Sequence, residues 1–351
     1  MNRFIKTLLL GLILLIGCWL LFHRGQINTV ADALALARHQ ISATQINVPN
    51  PFEFVHASKF VQSRPTSADQ YFPPLRSSSR NNGTSAVPQG SRQTIRLASF
   101  KLSSRTEGGS LRQTANICQQ YDVVAIQNHS NLSISKLVSE LNTRGLDFRF
   151  VDQAGSNNQF ATIFNRQVVV LEEQHWYTVN DPEDLFLFEP LVAWFRVLNA
   201  PPAEAFTFTL ANVQLNEKQP DKELSYLGEL FRSIRMDGRG EDDIILAGDF
   251  YSNDRQLKKL EEVSGLTPAI VGMSTNTRND AQLDNLIYDP NATVEFAGET
   301  GVFDFMKRFN MTLEEALSIS NRMPVWAEFS VFEGHAPGRA VDRIQIQRLD
   351  R

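Results

Sequence analysis

The stretch DDIILAGDFYS, residues 242–252, decides the fold of this chain. Its apolar, β-branched run is bounded by charges and ends in Gly-Asp-Phe, which predicts a buried strand that delivers the carboxylate of Asp249 to a sheet edge. Gly248 would let the backbone turn tightly there. Taken alone, such residues are more often a core strand whose turn aspartate caps its own loop. The neighbouring segments therefore indicate whether the sheet edge at Asp249 has a structural or a functional role.

From Thr94 onward, short apolar strands alternate with amphipathic helices, and no internal repeat interrupts the pattern. The predicted strands are 94–100, 123–127, 161–164, 168–176, 191–197, 206–213, 243–247, 285–288 and 325–331. The predicted helices are 111–120, 134–144, 224–236, 255–262 and 313–319, and the last begins with a capping-box pair, Thr312 and Glu315.

This element list predicts an α/β (α+β) fold in which two packed mixed β-sheets are flanked by helices, since roughly 260 residues suffice for one large core. A doubly wound sheet of the Rossmann type is the architectural alternative. It fits less well because no glycine-rich turn follows the first strand after Phe100, so that turn offers no cradle for a phosphate.

Segments in a fixed order carry a resemblance to a known family. They are residues 95–101, 121–128, 189–193, 210–216, 242–252, 283–287 and 320–325. In this order they resemble the endonuclease/exonuclease/phosphatase family, which has the fold of pancreatic deoxyribonuclease and the sphingomyelinases. The resemblance covers residues 92–351 and implies a four-layer sandwich.

The resemblance also implies a metal site and a base, and the chain departs from the family pattern at most of these positions. Lys101 stands where the family has an asparagine, and Asn128 stands at the metal-binding glutamate. Phe188 replaces an arginine before Glu-Pro, and Gln214 replaces a histidine. A further glutamate often lies where this chain has Asn158.

The remaining family positions are partly kept. Asp249 and Asp284 are the family's aspartates, but the Gly-Asp-Phe-Asn signature ends here in Tyr251. The closing Ser-Asp-His, which supplies an acid and a base, reads Ser-Asn-Arg, with Asn321 and Arg322 at its last two positions. An asparagine lacks the anionic oxygen that magnesium prefers, and an arginine stays protonated at any relevant pH.

Histidines elsewhere offer no evident replacement for the lost base. His129 follows Asn128, but adjacent residues of a strand face opposite sides, so we interpret it as a loop or surface histidine. Lys101 and Arg322 are predicted to project toward Asp249 and Asp284. Two fixed cations would then compensate two carboxylates in place of a metal ion.

The amino-terminal part differs in kind from the rest. Residues 5–22 are almost wholly apolar and nearly as long as a membrane span, so we predict a single transmembrane anchor at 1–24. A cleaved signal peptide and a lipid-modified Cys18 are the competing interpretations. Basic residues on the amino-terminal side weakly favour an extracytoplasmic domain. A juxtamembrane helix is predicted at 25–46, and a disordered, Pro- and Ser-rich stalk at 47–91.

Composition limits the classes of partner that this chain is expected to bind. The 351 residues carry a net charge of -5, so no general affinity for nucleic acid is expected. Cys118 is the only cysteine of the predicted domain and cannot form an internal disulfide. No residue pattern identifies a protein or phosphate-containing ligand.

Two functional hypotheses follow from these residues. The first is a single-pass membrane protein whose domain has lost its metal site and base and serves as a binding or scaffolding domain without a cofactor. The alternative is an active hydrolase of phosphodiesters or phosphomonoesters that uses Asp249 and Asp284 and requires Mg²⁺ or Mn²⁺. In a third interpretation the domain is a spacer and the stalk is the functional part.

Overall fold

The computed structural model describes residues 53–54, 93–103, 110–129, 133–153 and 159–334. The predicted anchor, the juxtamembrane helix, Asn158 and all residues from His335 onward lie outside these ranges, as does the predicted stalk apart from Glu53 and Phe54. Within the described part, no helix has the length and apolarity needed to cross a membrane.

The strands are β1 (Glu53–Phe54), β2 (Thr94–Lys101), β3 (Val123–Gln127), β4 (Phe148–Asp152), β5 (Phe160–Asn165), β6 (Val169–Asn180), β7 (Leu191–Val197), β8 (Thr207–Gln214), β9 (Ile244–Asp249), β10 (Thr267–Pro268), β11 (Asp284–Tyr288), β12 (Phe296–Val302) and β13 (Val325–Ser330). The helices are α1 (Leu111–Cys118), α2 (Ile134–Asn142), α3 (Pro220–Leu224), α4 (Leu227–Arg235), α5 (Asp254–Ser264), α6 (Phe305–Arg308) and α7 (Leu313–Ile319).

These strands form two mixed sheets. One has the order β12-β13-β2-β3-β5-β4, and the other has the order β1-β6-β7-β8-β9-β11-β10. The β2–β3 and β8–β9 pairs are parallel, whereas the other neighbours run antiparallel. Each sheet therefore has a parallel pair near its centre, and the members of each pair end at the same sheet edge.

Alternating side chains of the strands build three apolar layers. On β8, Phe208 and Leu210 face the other sheet, whereas Ala211 and Val213 belong to the cluster formed with α4 and α5. On the other sheet, Phe100 packs in a separate cluster with residues of α1, α2, α6 and α7. The order is thus helices, sheet, sheet, helices, which confirms the predicted fold class.

Aromatic rings fill the space between the sheets. Phe206 stacks on Phe208 and on Phe329, with ring centroids 5.2 Å and 6.0 Å apart, and Phe195 stacks on Phe208 at 5.5 Å. Such pairs add to the stabilisation from burying their large apolar surface. This packing fixes the two sheets against each other and so fixes the strand ends that meet at one edge.

Elements without a strong apolar pattern differ from the sequence prediction. The single helix predicted at 224–236 is two helices, α3 and α4, separated by Ser225 and Tyr226. Strand β12 (FAGETGV) was not predicted because its small and charged residues are only partly buried and give no apolar run. Strand β4 and helix α6 were also missed, whereas the Thr312–Glu315 capping box of α7 is confirmed.

Candidate functional site

The candidate site lies at the edge where both parallel pairs end. Lys101 and Asp249 are the last residues of β2 and β9, and Gln214 is the last residue of β8. In the ladders, Asp249 is the partner of Gln214 on one side and of Asp284 on the other. The register thus brings the two retained aspartates together on neighbouring strands.

Gly248 positions Asp249 for a reason other than the predicted turn. A Cβ atom at position 248 would lie 1.7 Å from the carbonyl oxygen of Val213, so any side chain there would clash with β8. The glycine permits close approach of the two strands within the ladder. The turn itself falls two residues later, where Tyr251 adopts a left-handed φ of 48°.

Asp249 is wholly buried and accepts hydrogen bonds from two cations through one oxygen. The Oδ2 atom lies 2.8 Å from Lys101 Nζ and 3.0 Å from Arg322 Nη2. The Oδ1 atom accepts from the backbone N–H of Tyr251 at 3.2 Å. Charge-assisted hydrogen bonds of this kind are stronger than neutral ones, so burial of this carboxylate is compensated.

Asp284 shares the same guanidinium. Its Oδ2 atom lies 3.3 Å from Arg322 Nε, a distance that makes an ion pair, although the angle does not make a hydrogen bond. The hydroxyl of Thr275 donates to the same oxygen at 2.9 Å. Arg322 therefore bridges both aspartates.

Ser320 and Tyr251 hold the cations in place. The hydroxyl of Ser320 donates to the carbonyl oxygen of Lys101 at 2.5 Å and accepts from the backbone N–H of Arg322 at 2.8 Å. Lys101 Nζ also donates to the Tyr251 hydroxyl at 2.5 Å. The Tyr251 ring centroid is 4.6 Å from Lys101 Nζ and 5.1 Å from Arg322 Cζ, so the ring attracts both cations electrostatically.

The surroundings raise the pKa of four groups of the cluster, Lys101, Arg322, Asp284 and Tyr251. Burial is the largest single effect and disfavours both cations, but Asp249 and Tyr251, joined at Arg322 by Asp284, together outweigh it. The pKa of Lys101 and of Arg322 therefore each lies above its ordinary value. Burial, with a further contribution from Asp249, raises the pKa of Asp284 despite the opposing charge of Arg322. Burial and Asp249 also raise the pKa of Tyr251. The two cations therefore stay charged, and Asp284 takes up a proton more readily than an ordinary carboxyl group does.

Other predicted site residues surround this cluster without joining it. Gln214 is buried, and its Oε1 atom accepts from Gln159 Nε2 at 2.7 Å. Asn128 has a left-handed φ of 55°, and its Nδ2 atom donates to the Leu102 carbonyl at 3.0 Å. Asn321 is exposed, so it does not share the buried position of its neighbour Arg322.

Two polar partners of the site were not predicted from the sequence. His129, interpreted as a loop or surface histidine, lies in the loop after β3 and is buried there. Thr275 binds Asp284, and Gln159 binds Gln214, yet neither partner was a candidate. Both lie next to their partners only in space, and no signal in one sequence marks such contacts.

The arrangement does not fit a divalent ion at Asp249. A magnesium ion binds carboxylate oxygens at about 2.1 Å and would lie close to two fixed cations. In the described part of the chain, the groups of three close metal-ligand side chains gather around Asp243 and do not include Asp249 or Asp284. As folded, the site is a closed set of two cations and two carboxylates.

Comparisons with known proteins find relatives in sequence. No family model matches the chain. Deoxyribonuclease-1-like 1 of Sus scrofa is 31% identical over 181 residues, which are 49% of this chain and 54% of that protein. Deoxyribonuclease-1-like 1 of Mus musculus is 25% identical over 249 residues, 67% of this chain and 77% of that protein. The chain thus spans about half the length of the pig relative and more of the mouse one.

Similar solved structures include D. rerio TDP2 complexed with single strand DNA product, which is 11% identical with a TM-score of 0.48. The match covers 68% of this chain and 99% of that chain. The catalytic domain of human Nocturnin with bound sulfate anion is 15% identical with a TM-score of 0.45, covering 68% of this chain and 95% of that chain.

The two mixed sheets flanked by helices define the class of fold, which is the one predicted from the resemblance to the endonuclease/exonuclease/phosphatase family. The sequence is similar to the deoxyribonuclease-1-like proteins.

Proposed function

We propose that this chain is a membrane-anchored member of the family whose domain binds or scaffolds a partner and does not hydrolyse phosphate esters. One observation carries the proposal: Lys101 and Arg322 both contact the same oxygen of Asp249, the carboxylate that would otherwise hold a metal ion. The cations come from the chain itself and are buried with the carboxylate.

The second support is the absence of a suitable base among the family positions. General base catalysis requires a group that takes a proton from water near neutral pH. Gln214 does not titrate, and its side-chain oxygen is engaged with Gln159. Arg322 is held protonated by two carboxylates. Neither family position that carries a histidine can therefore activate water in this chain.

The alternative function is metal-dependent hydrolysis of a phosphoric ester, as the name of the deoxyribonuclease-1-like relatives suggests. The observation that favours it is the pairing of Asp249 with Asp284 in neighbouring strands, which keeps two carboxylates at one sheet edge. In this case Lys101 and Arg322 would have to swing away before an ion could bind. Breaking two buried ion pairs makes that movement costly.

Metal response distinguishes the two functions. Mg²⁺ or Mn²⁺ at millimolar concentration should shift the melting temperature of wild type and of Asp249→Asn by the same amount. A specific ion at a hundredfold excess over its Kd would add about 2.7 kcal/mol to the free energy of unfolding, which thermal denaturation readily detects. Wild type should also show no hydrolysis of bis(p-nitrophenyl) phosphate above a buffer blank. Turnover that disappears in Asp249→Asn would establish the hydrolase instead.

The membrane anchor is the second part of the proposal and rests on the sequence. Residues 7–22 carry no charged side chain, with Arg3 and Lys6 before them and Arg24 beyond. Lys6 lies in the first turn of the predicted span, where a long basic side chain can reach the interface. Basic residues before a span favour a cytoplasmic amino terminus, and the folded domain would then lie outside the cytoplasm. A net charge of -5 gives the chain no general electrostatic attraction to nucleic acid, which supports a partner of another class.

Membrane fractionation tests the anchor. The full chain should sediment with membranes, resist carbonate extraction and retain its first residues by mass spectrometry, because an uncleaved apolar helix cannot be washed from a bilayer. Replacing Leu14 and Leu15 by arginine should release the protein into the soluble fraction. A soluble wild-type form that begins near residues 32–38 would show a processed signal peptide, and a mass increase on Cys18 would show a lipid.

A further inference from the structure

A second group of carboxylates lies at the opposite end of the sheets from the candidate site. Asp243 immediately precedes β9, whereas Asp249 is its last residue, so about 20 Å of strand separates them. Glu295 precedes β12, and Glu333 follows β13. Since β12 and β13 pair antiparallel, these side chains converge at one end of the sheet.

Three oxygens of this group have the spacing of ligands to one ion. Asp243, Glu295 and Glu333 each offer a carboxylate oxygen, and these oxygens all lie within 4.8 Å of one another. Two oxygens that bind the same calcium ion, each at about 2.4 Å, are at most about 5 Å apart. The distances therefore allow one ion to contact all three carboxylates.

Buried oxygens in this group lack partners. Thr293 is 1% exposed and its Oγ1 atom has no hydrogen bond, although the hydroxyl lies beside Asp243 and affects its carboxyl. Asp243 Oδ1 and Glu295 Oε2 are also buried without a partner. A buried polar atom without a partner is destabilising, so a hydroxyl and two carboxylate oxygens in this state in one place point to a ligand.

Other oxygens of the same carboxylates are held by the backbone. Glu295 Oε1 accepts from the N–H of Gly334 at 2.5 Å, and Glu333 Oε2 accepts from the N–H of Thr207 at 3.0 Å. These bonds orient the two side chains before any ion binds. Preorganised ligands lose little freedom on binding, which favours affinity.

The two buried carboxyls, Asp243 and Glu295, differ from Asp249 in their neighbours. In the described ranges, neither Asp243 nor Glu295 forms an ion pair with a lysine or arginine. Burial, followed by repulsion from Glu295 and Glu333, raises the pKa of Asp243 to about 10. These two buried carboxyls thus lack the compensation by cations that Asp249 has.

We propose that Asp243, Thr293, Glu295 and Glu333 form a site for a hard divalent cation of the calcium class, separate from the candidate site at Asp249. The donors are all oxygens, as calcium requires. Calcium suits them better than magnesium, which dehydrates reluctantly and keeps several waters. Glu333 is exposed and gives the ion a path from solvent.

Glu241 and Asp242 provide matched controls because they adjoin Asp243 without the same role. Both oxygens of Glu241 are engaged, one by the N–H of Asp243 at 2.9 Å and the other by Trp194 Nε1 at 2.7 Å. The side chain of Asp242 is 59% exposed. Asp242→Asn therefore removes a charge one residue from Asp243 and leaves the proposed ligands intact.

Calorimetry with calcium tests the proposal on the full chain, stripped with EDTA and passed over a chelating resin. CaCl₂ should bind saturably with one ion per chain, because the three carboxylates have oxygens close enough to contact a single ion. Glu295→Gln should weaken binding at least tenfold. Asp242→Asn and Asp249→Asn should bind as wild type does.

Each of the following results would contradict the proposed calcium site. No heat and no change of melting temperature up to 10 mM CaCl₂ would mean that the carboxyls only share protons. Binding lost in Asp242→Asn, or lost in Asp249→Asn, would place the ion elsewhere. If Glu295→Gln fails to match wild type by circular dichroism in EDTA, the isosteric Asp243→Asn replaces it, with the same tenfold loss expected.

Discussion

Arg322→Met should lower the free energy of unfolding by about 3–5 kcal/mol at pH 7, because it leaves Asp249 and Asp284 buried with one cation between them. Methionine keeps much of the aliphatic length of arginine but cannot pair with a carboxylate. Urea denaturation followed by tryptophan fluorescence measures the change. Arg322 is only 4% exposed, so solvent screening does not reduce the effect.

The loss should diminish as the pH falls. In the variant, the folded-state pKa of Asp284 rises further above the ordinary value of 3.8, so the folded protein binds more protons than the unfolded chain. The free energy of unfolding then decreases as the pH rises through the window from about 4 up to the raised pKa. The difference from wild type should accordingly be largest at pH 7 and smallest near pH 4.

An exposed ion pair is the control for this experiment. Arg166 lies 2.9 Å from Asp147, and the two side chains are 39% and 34% exposed. Arg166→Met should cost less than about 1 kcal/mol and show no recovery in acid. If Arg322→Met behaved like Arg166→Met, the two aspartates would not depend on the guanidinium. Adding Asp284→Asn to Arg322→Met should return part of the lost stability, since it removes one of the unpaired charges.

The variant that restores the family pattern should gain a metal site that the wild type lacks. It combines six changes: Lys101→Asn, Asn128→Glu, Gln214→His, Tyr251→Asn, Asn321→Asp and Arg322→His. Removing both cations frees Asp249 and Asp284, and the new glutamate supplies a third carboxylate of the kind that Mg²⁺ or Mn²⁺ binds. At a hundredfold excess over Kd, the ion should add about 2.7 kcal/mol to the free energy of unfolding.

Local backbone conformations indicate which of the six changes matter for folding. Tyr251 and Asn128 both have positive φ, which asparagine tolerates better than most residues. Tyr251→Asn should therefore relieve strain, whereas Asn128→Glu should add about 1 kcal/mol of it. Asn321 is exposed, so Asn321→Asp should contribute least to metal binding.

Two measurements keep the interpretation of this variant clear. The gain must disappear when Asp249→Asn is added, which separates it from binding near Asp243. Hydrolysis should remain slow, because the arginine that the family carries at Phe188 is still missing and supporting groups tune such sites. A folded variant without new metal affinity would mean that these positions do not correspond to the family's metal ligands.

The sequence predicted those parts of the site that depend on strand ends. Lys101 and Asp249 close apolar runs whose period and length mark buried strands, and register then determines that Asp284 lies beside Asp249. The segment around Asn321 is irregular, so alternation could not tell which neighbour faces inward. Only the structure shows that Arg322 is buried while Asn321 is exposed.

Sequence patterns do not predict contacts between segments that are distant in the chain. Thr275 reaches Asp284 from a loop, and Gln159 reaches Gln214 from the residue before β5, so their roles depend on tertiary packing. The group around Asp243 was likewise hidden, because Glu295 and Glu333 are far from it in the chain. A charge before an apolar strand looks like an ordinary strand boundary.

The ion pairs of Lys101 and Arg322 with Asp249 also have a consequence for where the protein can work. An exchangeable metal ion ties a pocket's charge to the supply of that ion in the surrounding medium. Counterions that are covalently part of the polypeptide are present at a fixed ratio from synthesis onward and cannot be removed by a chelator or a change of compartment. Whatever the local magnesium concentration, this end of the domain should therefore present the same shape and the same charge to a partner.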